Sequence, residues 1–311
     1  MTEFNHYTVM KNEAVDALGC QNGKIYVDCT LGGGGHSELI LKRISPDGRL
    51  IAFDIDNDAI NFASERLKNY KNLTIVKNSY TNIKKVFKDL GIEKITGGIL
   101  FDLGASYHQL TKQERGFSFT KEAPLDMRFN QDEEFSAYDI VNNYSEDDLV
   151  RIFSQYGEEH FSKRIAKEIC NKRKIKNIET TTELSDIIIN CTPHIKSKIH
   201  PSTRVFQALR IEVNHELQNV KNTLNDILDL LDFGAIISVI SFHSLEDRIV
   251  KQFFKYHSTR CHCDKTQMIC NCPPPVLELV NKKPITASEE EIKENPPSRS
   301  AKLRIAKCVR R

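Results

Sequence analysis

The feature that most constrains this chain is an alternation in its first hundred residues. Short apolar runs take turns with stretches of helical periodicity. The runs are Lys24-Ile-Tyr-Val-Asp-Cys29, Arg49-Leu-Ile-Ala-Phe-Asp54, Leu73-Thr-Ile-Val-Lys77 and Gly98-Ile-Leu-Phe-Asp102. Between the second and third, Ile60, Ala63 and Leu67 recur at helical spacing, with Asp58 suited to the first turn. Strands separated by helices predict βαβ units and a parallel sheet covered on both faces.

The alternation stops near Ser106. From there to about His200 no long apolar strand is visible. Ser145 is a good N-cap for the residues after it, Ile165 and Ile169 share one helical face, and residues 181–189 predict another helix. The first pattern then returns. Residues 213–231 read as one helix, Ala235-Ile-Ile-Ser-Val-Ile-Ser241 as a buried strand, and residues 301–308 as a final strand. The Pro-rich, charged stretch 266–300 reads as a surface loop. The fold class is therefore α/β with a helical insertion: residues 1–106 as the first part, 107–200 as the insertion and 201–311 as the second part.

Composition narrows the setting. The chain has 311 residues, 40% of them hydrophobic, which is enough for a sizeable core. No run of eighteen apolar residues suggests a membrane span, and the polar start does not resemble a leader. Nine cysteines, an odd number in a chain too large to need staples, predict mostly reduced thiols and a cytoplasmic location. The net charge is +2, so any polyanion must be held by local patches.

Gly32 to Gly35 follow the first strand and precede a helix. Glycines there allow close backbone approach to a ligand, and the helix start offers free N–H groups. A dinucleotide fingerprint is incomplete, since Ser37 stands where the third glycine belongs. No Gly-Lys-Ser/Thr sequence follows the cluster, which argues against a nucleoside triphosphate. Asp54 and Asp102 end the second and fourth strands. In doubly wound sheets such carboxylates point into the ligand crevice, and the former accepts ribose hydroxyls. The set predicts an adenosine-bearing cofactor.

More specific are eight motifs in order: Asp28-Cys-Thr-Leu-Gly-Gly-Gly-Gly-His-Ser37, Phe101-Asp-Leu-Gly-Ala-Ser-Tyr-His-Gln-Leu110, Arg115-Gly-Phe-Ser-Phe119, Pro124-Leu-Asp-Met-Arg128, Tyr156-Gly-Glu-Glu159, His200-Pro-Ser-Thr-Arg-Val-Phe-Gln-Ala-Leu-Arg210, Ser241-Phe-His-Ser-Leu-Glu-Asp-Arg248 and Pro297-Ser-Arg-Ser-Ala-Lys-Leu-Arg304. Over nearly its whole length the chain resembles the bacterial 16S ribosomal RNA (cytosine-N4) methyltransferases. That resemblance implies a Rossmann-like, S-adenosylmethionine-dependent methyltransferase domain with an inserted helical domain for substrate recognition. It implies methylation of the exocyclic N4 of a cytidine in the decoding centre of 16S rRNA, within the small ribosomal subunit. It also implies that Gly34, Gly35 and His36 line the methionine end of the cofactor, that Asp54 holds the ribose, that Tyr80 lies near the adenine, and that Asp102 and Gln109 complete the pocket. Ala105-Ser106-Tyr107 and Glu122-Ala123 depart from the family's commonest pattern without removing any of these positions.

Transfer to a weakly nucleophilic amine needs alignment and an acceptor for its N–H groups. Asp102 is the candidate for that role. His243 is a second candidate catalytic residue, weighed against a structural histidine bonded through Nδ1 to nearby backbone. No metal is assigned to the reaction. Two regions offer charge for RNA phosphates: residues 163–176, with seven basic residues against Glu168, and residues 248–311, with fourteen Lys/Arg against six Asp/Glu. Phe117 and Phe119 are candidates for stacking on a base, or for the core. Cys261, Cys263, Cys270 and Cys272 form C-x-C-x6-C-x-C, which suits either structural zinc or a loop without metal. C-x-C is less usual than C-x-x-C around one metal, which speaks against zinc. Rival readings are a nicotinamide oxidoreductase, a non-catalytic RNA-binding factor and a DNA amino-methyltransferase. The last typically carries Asn/Asp-Pro-Pro-aromatic where this chain has Asp102-Leu-Gly-Ala105.

Overall fold

A computed structural model describes residues 7–192, 199–263 and 271–310. The chain divides into two compact units, one formed by Met1–Gly104 with Leu217–Arg311 and the other by Ala105–Glu216.

The first unit begins with α1 (Lys11–Ala17), β1 (Ile25–Asp28), α2 (Gly35–Ile44), β2 (Arg49–Asp54), α3 (Asn57–Leu67), β3 (Leu73–Lys77), α4 (Ile83–Asp89) and β4 (Gly98–Asp102). The helical unit then contributes α5 (Tyr107–Thr111), α6 (Ala137–Asn143), α7 (Glu146–Gln155), α8 (Ser162–Arg173), α9 (Thr181–Cys191) and α10 (Ser202–Asn214). The chain returns through α11 (Glu216–Ile227), β5 (Ile236–Ser241), α12 (Ser244–Ser258), β6 (Leu277–Leu279), β7 (Ile285–Thr286), α13 (Glu289–Glu294) and β8 (Lys302–Cys308). The strands form one sheet in the order β3-β2-β1-β4-β5-β8-β6, with β7 also paired to β8. Strands β1 to β5 run parallel to one another, and β8 runs antiparallel to β5, β6 and β7. The parallel part is the Rossmann-like arrangement expected from the alternation.

Period-two burial explains why these runs are strands. Ile51 and Phe53 of β2, Ile99 and Phe101 of β4, and Ile237 and Val239 of β5 enter one core with α4, α11 and α12. Their neighbours Leu50, Ala52, Leu100 and Ile240 enter a second core with α1, α2 and α3. The sheet is thus buried on both faces, which only near-continuous apolar strands can satisfy. Each such side chain contributes roughly 1.5–3 kcal/mol. Helix starts are capped locally. Asp56 accepts from the Asp58 N–H at 2.9 Å, and the Ser145 Oγ from the Asp148 N–H at 3.1 Å.

The helical unit has its own core, which includes Ile140, Leu149, Phe153, Ile165, Ile169, Leu184 and Ile188. Three expectations are corrected. The insertion runs from 105 to 216, not from 107 to 200, because Val205, Phe206, Ala208, Leu209 and Val213 of α10 pack into the helical core. Residues 213–231 are not one helix: His215 is left-handed at φ 50° and separates α10 from α11. The stretch after 270 carries β6, β7 and α13 besides loop. Among the described residues no helix is long and apolar enough to cross a membrane.

Candidate active site at the ends of the parallel strands

The chain moves outward from β1 through β2 to β3, then returns to lay β4 on the other side of β1. Such a reversal of strand order opens a crevice at the carboxyl ends of β1 and β4. The residues at those ends build the candidate site.

Asp28 ends β1 and is fully buried. Its carboxylate accepts from the Thr30 N–H at 3.1 Å and the Ser37 Oγ at 2.7 Å, which ties both sides of the glycine turn together. Burial raises its pKa, against the pull of the Ser37 and Thr30 hydrogen bonds. Gly34 caps α2 in the left-handed region at φ 75°. A Cβ at Gly35 would lie 1.8 Å from Thr8 Oγ1, so that glycine is required by the segment before α1.

Asp54 ends β2, half-buried behind this turn. Oδ1 accepts from the N–H groups of Ile55 at 2.8 Å and Asp56 at 2.9 Å, and Oδ2 from that of Gly32 at 2.8 Å. A carboxylate has about four acceptor sites, so one remains on Oδ2 for a ligand hydroxyl. Burial pushes the Asp54 carboxyl up to about 6, against the lowering effect of the three N–H groups and with a small upward push from Asp56.

Asp102 ends β4. Its own N–H donates to Thr30 Oγ1 at 2.7 Å. Its Oδ1 is buried without a hydrogen-bond partner among the described residues. Burial, then the negative charges of Asp28, Glu246 and Glu291, hold its pKa well above the ordinary aspartate range. His36 stands alongside, with Nδ1 3.7 Å from Asp102 Oδ2, too long for a hydrogen bond. Nε2 lies 3.1 Å from the Val9 carbonyl, which can only accept, so Nε2 carries a hydrogen.

Gly34, Gly35, His36, Asp54 and Asp102 are thereby brought to neighbouring strand ends and the turn between them. Tyr80 follows β3, with its ring edge-on to Phe101 at 5.8 Å. Gln109 belongs to the helical unit. There it closes a capping box, with its Oε1 accepting from the Ser106 N–H at 2.9 Å and its own N–H donating to Ser106 Oγ at 3.2 Å. His243 caps α12. Its Nδ1 accepts from the Glu246 N–H at 3.5 Å, and its Nε2 is 3.2 Å from Glu246 Oε1. Nδ1 caps the helix, while Nε2 is buried without a hydrogen-bond partner among the described residues. His243 also lines an open recess of about 260 Å³ with Ser244, Thr286, Arg299, Ser300 and Lys302. Phe117 is buried in the helical core, and Phe119 stacks on His200 at 4.5 Å.

Sequence reasoning did not assign roles to Asp28 and Thr30. The signal was present, because Asp28 ends an apolar run just as Asp54 and Asp102 do. The whole donor set suits a cationic nucleoside. Asp54 has one acceptor position left beyond its three N–H bonds, while Asp102 presents a buried carboxylate oxygen, without a partner among the described residues, that positive charge would stabilise.

Known proteins bear on this reading. The profile of the MraW methylase family matches residues 3–309. A protein of Caldicellulosiruptor bescii named ribosomal RNA small subunit methyltransferase H is 51% identical over 307 residues, covering 98% of this chain and 100% of the relative. Proteins of the same name from Clostridium botulinum (strain Loch Maree) and Clostridioides difficile are 48% and 47% identical, each covering 99% of this chain and all of their own length. With its strand-end carboxylates, glycine turn and end-to-end similarity, this chain belongs to the MraW methylase family.

Proposed function

We propose that this protein transfers a methyl group from S-adenosylmethionine to the exocyclic N4 of a cytidine in the decoding centre of 16S rRNA, within the small ribosomal subunit in the cytoplasm. The observation that carries the chemistry is the buried, unpartnered Asp102 Oδ1 at the reversal of strand order. The cofactor supplies a methyl group made electrophilic by a sulfonium.

Asp54 accepts from the ribose through its remaining Oδ2 site, held in orientation by the Gly32, Ile55 and Asp56 N–H groups. The turn from Gly32 to Gly35 shapes the wall beside the methionine end, and His36 stands next to Asp102 there. Asp102 accepts an N–H of the target amine and takes its proton as the new C–N bond forms. Burial, then the charges of Asp28, Glu246 and Glu291, raise the Asp102 pKa, which makes its ionised form a stronger proton acceptor. We assign His243 to capping α12 and shaping the adjacent recess. Lys163, Arg164 and Lys167 are exposed on α8 and form a basic face for RNA phosphates. The target base must leave its stack to reach a recessed methyl donor.

The test is transfer of labelled methyl groups to purified small subunits, followed by nucleoside analysis of the RNA. The expected product is N4-methylated cytidine, with Asp102→Asn lowering turnover by about 10²-fold or more while subunit binding persists. Label on another nucleoside would overturn the substrate assignment, and unchanged turnover in the variant would overturn the role of Asp102.

A further inference from the structure

Away from the strand ends, the connection after α12 gathers sulfur. The Sγ atoms of Cys261, Cys263 and Cys272 all lie within 4.8 Å of one another. Cys263 Sγ and Cys272 Sγ are 3.5 Å apart. Around tetrahedral zinc with Zn–S of about 2.3 Å, neighbouring sulfurs stand roughly 3.8 Å apart. The cluster therefore has the dimensions of a thiolate zinc site.

The local backbone explains how a C-x-C pair reaches one point. The Cys263 N–H donates to Cys261 Sγ at 3.4 Å, which draws that sulfur toward the Cys263 backbone. The His262 N–H donates to Cys272 Sγ at 3.1 Å and draws the distant sulfur in. The unusual C-x-C spacing thus does not prevent the sulfurs from converging. Backbone N–H groups directed at sulfur also stabilise thiolate charge. The flanks are anchored: the Val276 N–H donates to the His257 carbonyl at 3.0 Å, His262 stacks on Tyr256 at 4.3 Å, and β6 pairs with β8.

We propose that Cys261, Cys263 and Cys272 bind one structural zinc ion that fastens the segment after α12. Soft thiolates select zinc over magnesium or calcium. Cys270, the remaining member of the sequence pattern, lies outside the described residues, so the proposal rests on three sulfurs. It is independent of the methyl-transfer reading, because none of these cysteines belongs to the strand-end site.

The experiment is metal analysis of the full chain purified under reducing conditions, together with Cys263→Ser, Cys272→Ser and, as a control, the distant Cys20→Ser. About one zinc per chain is expected in the unaltered protein and the control, and less than about a tenth of that in the other two variants. Cobalt exchanged into the unaltered protein should give thiolate charge-transfer bands and the visible bands of a tetrahedral site. Circular dichroism shows whether the variants remain folded, so that loss of metal is separated from loss of fold. Less than about a tenth of a zinc per chain in the unaltered protein, even after dialysis against equimolar zinc, overturns the proposal. Full zinc retention by both serine variants overturns it as well.

Discussion

Asp54 gives the proposed cofactor site a pH dependence whose size follows from its surroundings. Burial pushes this carboxyl up to about 6. A ribose hydroxyl donates most strongly to the ionised form, so binding favours that form. At pH 5 about one molecule in eleven is ionised, against about nine in ten at pH 7, so the dissociation constant of S-adenosylmethionine should rise about tenfold between them. Calorimetric titration from pH 5 to 8 measures this directly. The stability of the ligand-free fold moves the other way. A carboxyl whose folded pKa is raised contributes stability that is complete below its unfolded value near 4 and is lost as pH rises through about 6. Asp54→Asn should remove both dependences and weaken binding at pH 7 by about 1–2 kcal/mol. A flat affinity profile between pH 5 and 7 would show that Asp54 does not hold the ribose, or that it remains ionised throughout.

Other outcomes follow from single contacts. Gly35→Ala places a Cβ against Thr8 and should cost about 1–3 kcal/mol, read as a melting temperature several degrees lower and partly restored by Thr8→Gly. Arg304 holds Asp247 through two hydrogen bonds of 2.6 and 3.2 Å, so Arg304→Ala should destabilise by about 3–5 kcal/mol in denaturant titration. His243→Ala should cost about 1 kcal/mol of stability while His243→Asn retains most of it; turnover lost in the Asn variant at full stability would point to chemistry instead of capping. Replacing Lys163, Arg164 and Lys167 together with Ala should weaken subunit binding and reduce its salt slope by about two to three, leaving cofactor affinity unchanged.

The parallel strands and their acidic ends were legible because burial on both faces demands uninterrupted apolar runs, and such runs are visible without a structure. The boundary at Glu216 was not. Apolar spacing continues from Val213 to Leu231, and the break is a left-handed histidine where glycine would have announced it. β6 and β7 are three and two residues long, too short for any period to register, and they exist because β8 offers them an edge. For His243 the sequence left catalysis and a structural role side by side, and the cap it forms on α12 depends on ring orientation, which sequence does not carry. The three converging sulfurs depend on Cys272 being drawn to the pair by the His262 N–H, which spacing alone does not reveal. Asp28 was visible at the head of the glycine motif but was given no role.

The interruption of the sheet by the helical unit has a consequence during synthesis. β4 ends at Asp102, while its partner β5 does not begin until Ile236. The helical unit closes on neighbours in its own stretch of chain, and domains made first fold first. Throughout that interval the emerging β4 presents an unpaired edge rich in Ile and Phe, the kind of template that recruits other chains. Nascent chains arrested before Ile236 should therefore be prone to aggregate and dependent on chaperones, whereas chains arrested after β8 should not.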